Sequence, residues 1–132
     1  MSNPVISGNA IFSHVFIGAA DIQQSSAFYD AVLGALGINN LGPFGNGWVL
    51  YGREKPAFII ARPGNGEAPS SNGMTIGFAA ATPAEVDSFH AAGLKAGGTD
   101  EGKPGPRSHL PGAYAAYLRD PAGNKICAYT FI

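Results

Sequence analysis

Apolar and polar positions fall into the same order twice along this chain. "IFSHVFI", Ile11 to Ile17, is apolar or aromatic on both faces and predicts a strand. Beyond it, Ile22, Tyr29, Val32, Leu33 and Leu36 recur at helical spacing. Asp21 is placed to cap that helix and Gly37 to stop it. "MTIGF", Met74 to Phe78, predicts a second strand of the same kind. Thr82 to Glu85 reads as a capping box, with Pro83 at the first helical position. Val86, Phe89 and Leu94 supply the apolar stripe, and Gly97 or Gly98 ends the helix. At one constant offset, Phe28 falls on Phe89, Gly37 on Gly98 and Asp21 on Thr82. The identities are few; the repeated unit is strand, cap, helix, glycine stop.

Short strands follow each helix. "GWVLYG" (Gly47 to Gly52) and "AFIIAR" (Ala57 to Arg62) follow the first; "AYAAYLR" (Ala113 to Arg119) and "KICAYTF" (Lys125 to Phe131) follow the second. Further short strands are expected near Ile38 to Pro43 and near Gly98 to Asp100. The chain therefore reads as an α+β fold of two tandem βαβββ modules in one domain, residues 1–132. Module 1 spans about residues 9–62 and module 2 about 73–132. The stretch between them, about 63–72, is aperiodic and full of turn formers. Two such units are expected to curl their strands into a cup with the helices outside. A concave face of that kind is where small ligands sit.

Composition narrows the function classes. The chain is 45% hydrophobic and 13% charged, which suits a packed domain rather than a disordered one. A formal net charge of −1 argues against nucleic acid or an acidic membrane as partner. One cysteine excludes an internal disulfide framework and suits a reducing compartment. No apolar run approaches the roughly 20 residues that span a bilayer. "MSNPVISGNAIFSH" lacks the basic start and apolar centre of a secretory leader. The expectation is a cytoplasmic protein without a membrane anchor. There is no phosphate-binding loop, no G-x-S-x-G elbow and no zinc-type cysteine pair.

Three stretches in this order resemble the vicinal oxygen chelate superfamily, which includes glyoxalase I, extradiol dioxygenases, and the fosfomycin and bleomycin resistance proteins. They are "SHVFIGAADIQQSSAFYDAVLGALG", "FAAATPAEVDSFHAAGLKAGG" and "YAAYLRDPAGNKI". The last, an aromatic strand running into Asp-Pro-x-Gly-Asn, carries the resemblance furthest. The resemblance implies a site. In the family's metal enzymes, ligands come from the first and last strands of each module. Those positions fall here on His14, Thr75 and Cys127, with the fourth near Phe58. Cys127 stands where the family's metal enzymes carry a carboxylate. Threonine is a poor ligand, phenylalanine is none, and a lone thiolate needs company to hold zinc. The resemblance therefore implies a cup without the full metal set, similar in logic to the bleomycin resistance proteins, which sequester a ligand without chemistry. The alternative is a lyase, isomerase or dioxygenase similar to glyoxalase I, with Zn, Ni, Mn or Fe on His14 and partners such as His109 or Cys127. The enzyme question stays open, and no catalytic residue is named. The family also implies a homodimer with cups completed near the interface.

Each candidate has an ordinary reading too. His14 is a ligand-contacting group, a metal ligand or a hydrogen-bonded core histidine. Cys127 is a nucleophile, a metal ligand or a small apolar filler. Arg107 and His109 lie in the glycine- and proline-rich stretch Gly102 to Tyr114. There Arg107 suits an anionic group and His109 a proton, unless the loop is merely solvated. His90 reads as a helix-face residue. Trp48, Tyr51, Phe58, Tyr114 and Tyr117 line either the cup or the core. Alternation separates Trp48 from Tyr51 and Tyr114 from Tyr117 without saying which points inward.

Overall fold

A computed structural model describes residues 11–132. The first ten residues, on which the start of module 1 and much of the leader reading rest, lie outside the described residues. Module 1 contains β1 (Val15–Gly18), α1 (Ile22–Gly34), β2 (Asn39–Phe44), β3 (Trp48–Gly52) and β4 (Phe58–Ala61). Module 2 contains β5 (Thr75–Ala79), α2 (Pro83–Lys95), β6 (Thr99–Pro106), β7 (Ala113–Arg119) and β8 (Lys125–Phe131). Each module makes a four-stranded sheet, ordered β1-β4-β3-β2 and β5-β8-β7-β6. In each, the first strand runs parallel to the last and the other pairs are antiparallel. This is the tandem βαβββ arrangement expected from the sequence.

Two elements differ from expectation. β1 starts at Val15, so Ile11 to His14 lead into the strand rather than form it. β6 runs on to Pro106, through residues that read as loop. It is an edge strand, bonded only to β7, so Pro104 and Pro106 can lack an N–H without breaking an interior ladder. Register shifts around Gly102 absorb the irregularity.

The helix caps form as their sequences dictate. The Asp21 carboxylate accepts from the Gln24 amide at 3.1 Å. The Thr82 hydroxyl accepts from the Glu85 amide at 3.2 Å, and Glu85 reaches back to the Ala81 amide at 2.9 Å. After α1, Gly37 takes φ 75°, which a side chain would strain.

The helices bring the modules together on one core. Phe28, Tyr29, Val32 and Leu33 of α1 and Val86 and Phe89 of α2 are buried in it. Phe58 of β4 meets Phe78 of β5 edge-on, ring centroids 5.1 Å apart. Gly93 makes the helix crossing close: a Cβ there would collide with Leu118 of β7 and crowd Val32 of α1. The Asp120-Pro-Ala-Gly-Asn124 turn adds a polar staple. Buried Asp120 accepts from the Tyr29 hydroxyl at 2.7 Å and from the Ala122 and Asn124 amides at 2.9 Å. The Asn124 side chain donates to Asp120 and, across the module boundary, to the Gly18 carbonyl, both at 2.9 Å. Burial, with the Asp120 charge beside it, holds the Tyr29 hydroxyl well above its ordinary pKa. It stays a neutral donor. Among the described residues, no helix is long and apolar enough to cross a membrane.

Candidate functional site

Strand alternation divides the side chains of module 2 into two sets. Ile76, Phe78, Ala116, Leu118, Ile126 and Ala128 face the helices and the core. Thr75, Tyr117 and Lys125 face the opposite way and line a cleft of about 500 Å³. Glu101, Lys103 and Arg107, on and just beyond the edge strand β6, form its other wall.

Tyr117 is the centre of this cleft. The Arg107 guanidinium lies 5.3 Å from its ring centroid and the Lys125 ammonium 5.4 Å from it, both cation–π distances. Arg107 is further held by backbone carbonyls, donating to Lys103 at 2.9 Å, Gly105 at 3.3 Å and Pro106 at 3.4 Å. The Tyr117 and Tyr129 hydroxyls bond each other at 2.8 Å. Burial, then the Tyr129 contact, raises the Tyr117 pKa, so its hydroxyl stays neutral. Glu101 accepts from Arg119 at 2.7 Å and is thereby spoken for.

Cys127 lies beneath this surface, opposite Tyr117 in the β7–β8 register. It is 4% exposed. A Cβ on Gly77 would come 3.4 Å from its sulfur. Burial pushes the thiol up to about 12, although Lys125 and Arg107 pull the other way. Burial of this kind favours the neutral thiol over the thiolate.

The other candidates scatter. His14 is exposed ahead of β1, its Nδ1 2.9 Å from the Ser13 hydroxyl. Phe58 does not face the cup: it is 4% exposed within the shared core, packed on Tyr29 and Phe78. The parallel registers narrow the position expected near Phe58. Phe16 pairs with Ile59 where Gly77 pairs with Cys127, so Ile59 is the counterpart of Cys127, one residue beyond Phe58. Tyr114 also turns toward the helices, and its hydroxyl donates to Asp87 of α2 at 2.7 Å. Trp48 sits on the open face of the first sheet, edge-on to Phe16 at 5.0 Å. His109 is exposed in the turn before β7. His90 is a helix-face residue, buried, with Nε2 2.7 Å from Asp100 of β6. That bond, with the Gly102 amide, holds the Asp100 carboxyl below its usual range.

So the structure brings Thr75 and Arg107 into one cleft with Cys127 beneath it, and leaves His14, Phe58, Trp48, Tyr114 and His109 outside. Lys103 and Lys125 are cleft residues that sequence reasoning passed over. Lys125 had a signal: it lies two residues before Cys127 on the same strand, hence on the same face. Among the described residues, no three His, Cys, Asp or Glu side chains cluster so as to hold a metal ion.

Residues 11–128 match the family model described as the glyoxalase/bleomycin resistance protein/dioxygenase superfamily. A search of curated proteins returns no match. Among solved structures, a glyoxalase/bleomycin resistance protein from Albidiferax ferrireducens T118 shares 48% identity at a TM-score of 0.80, covering 91% of this chain and 98% of that one. A lactoylglutathione lyase from Agrobacterium tumefaciens superposes at a TM-score of 0.63 with 20% identity, covering 93% of this chain and 95% of its own. The fosfomycin resistance protein FosX from Mesorhizobium loti reaches 0.66 with 14% identity, covering 92% of each chain. These last two are likenesses of fold.

Proposed function

The chain belongs to the glyoxalase/bleomycin resistance protein/dioxygenase superfamily, and from that premise we propose that it binds a small molecule on the concave face of module 2 without the family's full metal site. The cleft beside Tyr117 carries this reading. Its volume of about 500 Å³ suits a small ligand. Its walls join an aromatic face to a few fixed polar groups, the combination that orients a ligand.

The donor set does not fit the ion of the metal enzymes. Of the four positions the resemblance implies, Thr75 offers a hydroxyl, Cys127 a buried thiol, and Ile59, which takes the place expected near Phe58, nothing. His14 supplies the one good donor, and one donor does not make a site. The metal-dependent alternative, with His14 joined by His109 or Cys127, gains no support from the exposed placement of both histidines. What this chain's residues are equipped to do is bind and orient.

The proposal includes a homodimer in the cytoplasm. The open face of module 1 shows Phe16, Phe44 and Trp48 to solvent, an apolar surface that a second copy would cover. Trp48→Glu is then expected to give monomers in sedimentation velocity where the native chain gives dimers.

The binding reading is tested by ligand-observed NMR with a broad set of small molecules, neutral and charged, against the native chain and Thr75→Trp. The indole at position 75 should fill the cleft while β5 still folds. Hits lost in Thr75→Trp support the proposal. Hits kept unchanged in that variant would place binding elsewhere and overturn it.

A further inference from the structure

The charges around Tyr117 are out of proportion to the chain that carries them. The protein has eight Lys and Arg against nine Asp and Glu. Yet Lys103, Arg107 and Lys125 meet in one cleft whose only carboxylate is Glu101. Glu101 is already paired with Arg119 at 2.7 Å. The two ion pairs among the described residues are Arg119–Glu101 and His90–Asp100, so none of the three cleft cations is neutralised by a carboxylate there. Like charges gathered without counter-charge cost free energy unless a ligand offsets them.

The geometry adds direction. Arg107 is not a loose surface arginine. Three carbonyls and the Tyr117 ring fix its guanidinium before any ligand arrives. A guanidinium has five N–H donors, so donors remain beyond those three bonds. Lys125 projects from β8 at a nearly equal distance to the same ring. Thr75, paired with Lys125 across β5 and β8, adds a hydroxyl. The cleft thus offers donors and positive charge, with an aromatic surface beneath them.

We propose that this cleft recognises an oxyanion, a carboxylate or a phosphate on a small flat body, with Arg107 and Lys125 as the anion-binding pair and Lys103 at the rim. The inference rests on the reading of the module 2 cleft as the ligand site. It goes further by naming the class of ligand. A guanidinium forks onto two oxygens, an ammonium supplies a point charge, and Tyr117 gives the ring of an aryl anion a surface to pack on. A cationic ligand would meet three like charges here.

The test uses the full chain at low salt, followed by amide NMR. The probes are benzoate, phenyl phosphate, inorganic phosphate and benzamide, the last a neutral counterpart of benzoate. The expected result is that benzoate and phenyl phosphate shift the amides of Thr75, Gly102, Tyr117 and Lys125, while benzamide binds about tenfold more weakly or worse. Arg107→Gln and Lys125→Gln each weaken the anions by about tenfold, and Lys125→Arg restores most of the loss. Lys103→Gln costs only about two- to threefold, because its charge is exposed. All four substitutions sit at the cleft surface, and their unchanged amide spectra away from it check the fold. Inorganic phosphate binding as tightly as phenyl phosphate supports a free anion as the ligand. Preference for the aryl ester supports an aryl-borne one. Benzamide matching benzoate at the same amides would overturn the anion assignment and leave the cleft as a ligand site. No shift at the cleft from any probe would also overturn it, and the broader screen with Thr75→Trp would then decide the underlying reading by itself.

Discussion

The two modules repeat one topology and present opposite chemistry on their open faces. On the first sheet that face carries Phe16, Phe44 and Trp48, which are 40%, 60% and 37% exposed and touch at ring centroids of 5.0 and 5.9 Å. On the second it carries Tyr117 flanked by Arg107 and Lys125. Shared topology decides which side chains point outward. It does not decide what they bind. On the readings proposed above, a second copy covers the first face and a charged small molecule occupies the second. The contrast also explains why a family's site cannot be moved whole from one member to another. On the reading proposed above, the positions that the resemblance implies keep one good metal donor, His14, beside Thr75, Cys127 and Ile59.

Substitutions on the two sides of the sheets test the contrast. The largest effect is expected from the helix-facing side. Phe58→Ala should cost about 4 kcal/mol in urea unfolding, because the ring fills the core both modules share. Phe16→Ala, on the strand paired with β4, should cost under about 1 kcal/mol in the monomer, since its ring is already half in water. Equal losses would mean that the two faces are assigned the wrong way round. Asp120→Ala comes next, at roughly 3 kcal/mol, because it strands the buried Tyr29 hydroxyl and two turn amides at once. A loss below about 1 kcal/mol would show that the turn does not staple the modules.

Cys127 gives a pH signature. Its folded pKa is raised, so the stability linked to the protonated thiol is complete below the unfolded value of 9.0 and is lost as pH climbs toward about 12. Stability measured from pH 8 to 11 should therefore fall less steeply in Cys127→Ala than in the native chain. For the same reason iodoacetamide should label Cys127 slowly at pH 8 in the folded chain and quickly in urea. Fast labelling of the folded chain would return the residue to the list of reactive thiols. The smallest effect is expected at His14: with an exposed ring bonded only to its neighbour Ser13, His14→Ala should change stability by less than about 0.5 kcal/mol.

The repeat, the caps and most strands are legible in the sequence because local rules govern them. The Asp21 and Thr82 caps, the Gly37 stop and the period-two strands need only near neighbours. β6 is less legible, since its prolines and glycines argue for a loop, and only its place at a sheet edge makes it a strand. The site is legible in part. Alternation separates Tyr114 from Tyr117 and Phe58 from Ile59, but the choice of phase is made by the helices, which are remote in sequence from the strands they cover. Lys103 and Lys125 are charged residues on strands, and their sharing one cleft with Tyr117 depends on the β6–β7–β8 pairing that tertiary structure supplies.

On the proposed reading, the cup binds its ligand without the family's ion. Metal content tests it most directly: purified protein and His14→Ala, each exposed to Ni, Zn, Mn and Fe(II), desalted and subjected to elemental analysis. The expected result is far less than one equivalent of any metal, equal in the two proteins. Near one equivalent in the native chain, lost in His14→Ala, would contradict it and make a metal-assisted reaction the first thing to assay.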